Sequence, residues 1–149
     1  MDLSDKRTGI IVLIGILWVI ITVLGWKEQH MAGMYAGVIL MLLHMMLGAA
    51  KKGKLSSKLF VYPLLIWAVL WCISFFLSKY YADLYVGKIP DFTILGFHPS
   101  FAWTILTYWI GGVLTLTIGF ILFKDEWLSE KDWQDFKQKI QMIEQSEVK

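Results

Sequence analysis

The sequence TGIIVLIGILWVIITVLGW, residues 8–26, contains no Asp, Glu, Lys or Arg. At 1.5 Å per residue, an α-helix of about 20 residues crosses the roughly 30 Å hydrocarbon layer of a bilayer. Three further uncharged windows of similar length cover residues 31–50, 59–78 and 101–123. Since backbone N–H groups inside lipid must bond within their own segment, each window predicts a membrane-spanning helix.

The composition of the whole chain agrees with this interpretation. Of its 149 residues, 57% are hydrophobic and 17% are charged, against about 45–50% and about 25% in soluble domains. We therefore predict an all-α membrane protein whose four transmembrane helices form two antiparallel hairpins, followed by a C-terminal cytoplasmic amphipathic helix. Residues 1–50 form the first hairpin, 51–58 a basic cytoplasmic loop, 59–123 the second hairpin and 124–149 the cytoplasmic tail.

Basic residues are unequally divided between the two sides of the predicted membrane. Eleven of them precede the first span, lie in the loop 51–58 or follow the fourth span, and three fall in the other two loops. Since cytoplasmic loops carry an excess of Lys and Arg, we expect both termini on the cytoplasmic side of the inner (plasma) membrane. The first window is longer than the apolar core of a typical signal peptide and no convincing cleavage site follows it, which favours a retained span.

Small side chains recur along two of the predicted spans and suggest helix-contact faces. Such faces let two helix backbones approach closely where lipid supplies no hydrophobic drive. We expect each face to be used within the bundle or against another membrane protein or a second copy. The residues are Thr107, Gly111, Thr115 and Gly119 on the fourth span, and Gly33 and Gly37 on the second, where His44 lies on the same helix-contact face.

The four windows contain few groups suited to chemistry. His44 is their one histidine, and charged side chains are missing from all of them, although intramembrane ionisable groups usually mark transport or proton pathways. No nucleophile–base pair, metal-ligand cluster or phosphate loop is visible in the sequence. We therefore expect a protein that is not an enzyme and has no cofactor. Its expected partners are the lipid bilayer and either a larger membrane protein or a second copy, not nucleic acid.

The three histidines leave a haem-binding alternative open. His30 and His98 both fall at the outer ends of predicted helices, where two facing imidazoles could hold a haem iron. His44 lies about 21 Å deeper than His30 at 1.5 Å per residue. Packing or a hydrogen bond across helices is its ordinary role, although nearby methionines would also suit Cu(I). One alternative function is thus a haem b-binding or electron-transfer membrane anchor that uses His30 and His98, and another is a small oligomeric channel or holin-like protein.

A turn next to the fourth window has a predicted role of its own. An outer turn re-enters the membrane before the fourth span, where proline is tolerated as the first helical residue and aromatic side chains anchor the interface. Its residues are Gly96, Phe97, His98, Pro99 and Phe101.

The predicted tail contains an apolar stripe at helical spacing. Trp133, Phe136, Ile140 and Ile143 recur at intervals of three, four and three, which places them on one helical face. This face predicts a cytoplasmic amphipathic helix that either lies on the lipid surface or docks on another protein. Acidic neighbours would be repelled by anionic lipid, which favours docking on a protein.

Three stretches in the second half of the chain match a known pattern. They are LIWAVLWCISFFLSKYYADL, ILGFHPSFAW and FILFKDEWLSEKDW, within residues 57–136. In this region the chain resembles the small membrane subunits of sodium/solute symporters, whose second helix opens with Gly-Phe-Pro and an aromatic residue. Here Pro99 comes one place later and His98 stands where that family has proline. The resemblance implies a hairpin that stabilises, assembles or regulates a large sodium-coupled transporter subunit, and it leaves the first hairpin outside.

Overall fold

The structure, a computed structural model, describes residues 1–147, in which all regular secondary structure is helical. Four long helices are followed by two in the tail, and no strand occurs in this range beyond isolated backbone pairs in turns. The last two residues of the predicted tail, 124–149, lie outside the described part. The helices are α1 (Arg7–Trp26), α2 (His30–Ala49), α3 (Ser57–Leu84), α4 (Pro99–Leu122), α5 (Lys124–Trp127) and α6 (Glu130–Glu147).

Each of α1 to α4 is long and apolar enough to cross a membrane, which confirms the prediction of a helical chain with four candidate membrane spans over the described residues. Their limits differ from those of the uncharged windows mainly at α3, which continues to Leu84. With 28 residues, α3 is about 42 Å long. It therefore exceeds the hydrocarbon thickness, and a helix of this length tilts or extends beyond the lipid.

Clusters of buried apolar side chains connect α2 with α1 and with α3. Ile14 and Leu17 of α1 pack with Leu40 of α2. Trp67 of α3, which is 2% exposed, packs with Val38 of α2. The second helix therefore lies between the first and the third.

Parts of α3 and α4 are wound more widely than an ordinary α-helix. Phe60–Leu65 of α3 forms a π-helical turn around Pro63, which has no N–H to donate to the preceding turn. In α4 the segments Thr104–Ile110 and Val113–Thr117 are also π-helical. Thr107 donates to the Trp103 carbonyl oxygen at 2.6 Å, four residues back. Threonine bonds of this type compete with the backbone ladder and loosen or bend a helix.

The first residues of the chain pack against the loop between α2 and α3. The Met1 ammonium donates to the Leu55 carbonyl oxygen at 2.6 Å, and the Leu55 N–H donates back to Met1 at 2.8 Å. Leu3 and Leu55 are 3% and 1% exposed and share a core cluster with Leu59 and Leu64 at the start of α3. The N-terminus is thereby fixed at the end of the bundle where α2 stops and α3 begins.

Candidate helix-contact and docking surfaces

The small residues of α4 lie against α3 of the same chain. A Cβ added at Gly119 would come within 2.8 Å of Pro63 Cβ, and one added at Gly111 within 2.8 Å of Leu70 Cδ1. The two threonines of this predicted face are buried. All four residues of the face on α4 therefore serve a contact within the chain.

Polar bonds add to this contact between α3 and α4. The Tyr62 hydroxyl donates to the Leu114 carbonyl oxygen at 2.8 Å, and Ser78 Oγ lies 3.2 Å from Thr104 Oγ1. Since lipid offers no competing partner for such groups, bonds between helices help to select which sides meet. They fix the side of α4 that faces α3.

The predicted face on α2 is divided between a packed and an open part. At Gly33 an added Cβ would lie 3.9 Å from Leu24 Cβ of α1, whereas at Gly37 it would meet no described atom within 4 Å. His44 is exposed, and its Nδ1 lies 2.9 Å from the Leu40 carbonyl oxygen. Because a carbonyl oxygen only accepts, Nδ1 carries the proton. The hydrogen bond of His44 is thus made within α2 and not across helices.

The outer turn is a tight hairpin turn. Leu95 and Gly96 have φ values of +52° and +80°, and Ile94 and Phe97 exchange backbone hydrogen bonds of 3.1 and 2.9 Å. Positive φ at both central residues defines a type I′ turn, in which glycine is favoured because it lacks a Cβ. The Phe97 ring meets the Phe101 ring edge-on with centroids 5.7 Å apart, so the aromatic side chains cluster beside the turn.

His98 caps α4, which begins at Pro99. The His98 Nδ1 accepts the Ser100 N–H at 3.2 Å and lies 2.7 Å from Ser100 Oγ. Its ring packs edge-on against Tyr85, with centroids 5.8 Å apart. A side chain that accepts from the first turn satisfies a backbone donor that the helix leaves without a partner.

The other haem-ligand candidate, His30, is the first residue of α2. Among the described side chains of residues 1–145, no three His, Cys, Asp or Glu groups are arranged to hold a metal ion. His98, one of the two candidate ligands, already caps α4 through its Nδ1. Its Nε2 is the ring nitrogen that a haem iron would have to use.

The tail is attached to the loop between α2 and α3 through a group of three side chains, which we call the loop–tail junction: Lys51, Ser129 and Asp132. The Lys51 ammonium forms a salt bridge with Asp132 and donates to Ser129 Oγ at 3.1 Å. Lys58 and Glu126 form a second, longer ion pair at 3.9 Å. These contacts hold the start of α6 at the same end of the bundle as the N-terminus.

Asp132 has a larger pKa shift than Asp2, the other carboxyl group outside α1 to α4 whose pKa is lowered. Hydrogen bonds from Lys51 and then from Ser129 hold the pKa of Asp132 well below its usual range. Ser129 and Asp132 also cap α6: the Ser129 N–H donates to Asp132 Oδ2 at 3.0 Å, and the Asp132 N–H donates to Ser129 Oγ at 3.4 Å. This is the reciprocal arrangement of a capping box.

The apolar side chains of α6 remain at the surface of the described chain. Trp133, Phe136, Ile140 and Ile143 are between 40% and 52% exposed. The rings of Trp133 and Phe136 stack with centroids 5.7 Å apart. Four large apolar side chains therefore share one exposed helical face beyond the four long helices.

Neither the attachment of the N-terminus nor the salt bridge of the junction was anticipated from the sequence. Apolar Leu3 and Leu55 each stand among polar and charged neighbours, which was an available signal for burial outside the spans. The turn after Lys51 reads Lys52-Gly53, and its glycine suits the positive φ of a tight hairpin turn, although Lys-Gly is not one of the preferred pairs for such a turn. No such local signal in the sequence indicates that Asp132 is the salt-bridge partner of Lys51.

Comparison of the chain with protein-family models, with curated proteins and with solved structures gives no match.

Proposed function

We propose that this chain is a non-catalytic accessory or assembly subunit of a membrane complex. In this proposal α1 to α4 form two antiparallel hairpins in the inner membrane, with both termini in the cytoplasm. The contacts of Met1 with Leu55 and of Lys51 with Asp132 support a common side for the N-terminus, the loop and the tail. Those three segments hold eleven of the fourteen basic residues, which favours the cytoplasm as that side.

The exposed apolar face of α6 carries the proposal. Burying one large apolar side chain contributes about 1.5–3 kcal/mol, so a groove that covers Trp133, Phe136 and Ile140 would bind this helix substantially. An amphipathic helix in an apolar groove is a common mode of protein recognition. The capping box and the loop–tail junction hold the start of α6 in place, which lowers the conformational entropy lost on binding.

The charge of the tail favours a protein over the lipid surface as the binding partner. Residues 124–149 carry seven acidic and five basic side chains. The cytoplasmic leaflet is negatively charged and attracts basic segments, so this net negative tail is poorly suited to lie on it. A protein groove with basic residues around an apolar floor complements both features of α6.

The large subunit of a sodium-coupled solute transporter is the partner class that we propose. It is supported by the resemblance of residues 57–136 to the small subunits of such transporters, with Gly96, Phe97 and Phe101 in the corresponding turn. The face of small residues on α4 is engaged with α3. We therefore assign the contact with the large subunit to α6 and not to that face.

Site-specific photocrosslinking in cells tests this assignment. A photoreactive amino acid replaces Phe136 in the full chain, and a matched variant carries it at Gln138, which lies on the opposite side of α6 at 100° per residue. Crosslinking from position 136 to a multi-spanning sodium-coupled transporter, and much less from position 138, is expected. Crosslinks from position 136 to lipid alone, or equal crosslinking from both positions, would contradict the proposal.

A further inference from the structure

A pocket with a mixed lining opens beside the loop between α2 and α3. It has a volume of about 550 Å³ and lies between the N-terminal segment, the start of α1 and the end of α2. Ser4, Arg7 and Lys52 supply polar groups, and Ile11 and Leu47 supply apolar ones. The pocket therefore joins a cationic rim to the apolar surface of two candidate membrane helices.

The cations of the rim are available to a ligand. Among the side chains described, those of residues 1–145, the ion pairs involve other lysines, and neither Arg7 nor Lys52 takes part in one. The first turn of α1 contains no acidic residue. The nearby carboxylate of Asp2 accepts the Ser4 N–H at 2.9 Å and forms no ion pair with Arg7 or Lys52. An anion that enters the pocket would therefore meet two cations that have no ion-pair partner among the described side chains.

Lys52 has a strained, left-handed backbone conformation. Lys52 and Gly53 have φ values of +50° and +78°, and Lys51 and Lys54 exchange backbone bonds of 2.9 and 3.0 Å around them. A left-handed conformation is unfavourable for a residue with a Cβ, because the Cβ approaches the following carbonyl oxygen. A Cβ at Gly53 would come within 2.5 Å of Ser4 Oγ, so the turn also packs tightly on the N-terminal segment.

We propose that this pocket binds the phosphate headgroup of an anionic phospholipid of the adjacent leaflet. Arg7 and Lys52 would bind the phosphate, with Ser4 as a further hydrogen-bond donor, because a guanidinium matches phosphate geometry and an ammonium acts as a point charge. Ile11 and Leu47 lie where an acyl chain continues along α1 and α2. Basic pockets at the cytoplasmic ends of membrane helices suit such lipids, and the apolar lining favours a lipid over free phosphate.

Native mass spectrometry of the full chain, purified in detergent, tests the proposal by counting bound lipids. The probes are phosphatidylglycerol, phosphatidylcholine and inorganic phosphate. The test variant combines Arg7→Gln with Lys52→Asn, because asparagine tolerates the left-handed conformation and preserves the turn. Lys88→Gln, in the loop between α3 and α4, removes a charge elsewhere and serves as the control.

The unmodified chain should bind phosphatidylglycerol in preference to phosphatidylcholine. At about 1 kcal/mol for each basic residue, loss of both cations should reduce this preference about 25-fold, while Lys88→Gln preserves it. Lys52→Asn alone should give about a fivefold reduction, which keeps the test valid if the double variant does not fold. A preference unchanged in Lys52→Asn, an equal loss in Lys88→Gln, or displacement of phosphatidylglycerol by millimolar inorganic phosphate would overturn the proposal.

Discussion

Gly119 marks a close approach of α4 to α3. A Cβ at this position would lie 2.8 Å from Pro63 Cβ and 3.2 Å from two ring carbons of Tyr62. The Pro63 ring is fixed to its backbone and cannot rotate away, so the two helices must separate in Gly119→Ala. Overpacking of this kind costs about 1–3 kcal/mol, and the greater helix preference of alanine offsets up to about 1 kcal/mol. With the full offset, we expect a net loss of up to about 2 kcal/mol relative to the unmodified chain.

Two other glycines of α4 provide matched comparisons. At Gly112 no described atom lies within 4 Å of an added Cβ, so Gly112→Ala should be neutral or stabilising by up to about 1 kcal/mol. At Gly111 the contact is with Leu70 Cδ1 at 2.8 Å, the end of a flexible side chain that can rotate. Gly111→Ala should therefore lie between the other two variants.

Equilibrium unfolding of the detergent-purified protein in SDS, followed by Trp fluorescence, measures these differences. The predicted order of the free energy of unfolding is Gly112→Ala highest, Gly111→Ala intermediate and Gly119→Ala lowest. If Gly119→Ala is as stable as Gly112→Ala, the close contact between α3 and α4 is refuted.

Four further predictions concern the loop–tail junction, the cap of α4 and the outer turn. Asp132→Asn should free α6 from Lys51 and speed amide hydrogen exchange in α6. Asp135→Asn, the control, should leave the exchange rates of α6 unchanged. Similar exchange rates in both variants would argue against the loop–tail junction. Hydrogen bonding to Lys51 lowers the pKa of Asp132. The junction therefore contributes its full stability above the ordinary carboxyl pKa and loses that stability as the pH falls through the lowered pKa. Amide exchange in α6 at pH 5 should thus match exchange at pH 7 after correction for intrinsic rates. His98→Ala should reduce the free energy of unfolding by about 0.5–2 kcal/mol. His98→Asn should restore most of this loss, since asparagine is a good N-cap residue. An asparagine variant as unstable as the alanine variant would exclude capping as the role of His98. Leu95→Asn should stabilise the outer turn by about 1 kcal/mol by relieving a left-handed leucine, and unchanged stability in the same SDS titration would count against strain at Leu95.

The long helices could be predicted from the sequence because lipid thickness and backbone bonding limit what an uncharged window of about 20 residues can form. The spacing of Gly111 and Gly119 likewise predicts a close helix contact. It does not name the opposing helix, since many apolar faces would accept a row of small residues. The shape of Pro63 and its neighbours on α3 decides that question, and this shape depends on the fold.

Contacts that are distant in sequence could not be predicted in the same way. Lys51 and Ser129 are separated by 78 positions, and Met1 and Leu55 by 54. Several lysines and several carboxylates were expected on the same side, so charge alone did not select Lys51 and Asp132 as partners. The role of His98 as a cap depends on the rotation of one side chain towards Ser100, which residue order does not specify.

The composition of the assembly in native-lipid nanodiscs tests the proposed function most directly. The full chain is extracted with its surrounding lipid, isolated through an affinity tag, and analysed by native mass spectrometry together with its visible absorption spectrum. We predict a stable complex with a larger, multi-spanning sodium-coupled transporter and no Soret band. A chain recovered only as a monomer or homo-oligomer, or a Soret band that disappears in His98→Ala, would contradict the proposal of an accessory subunit.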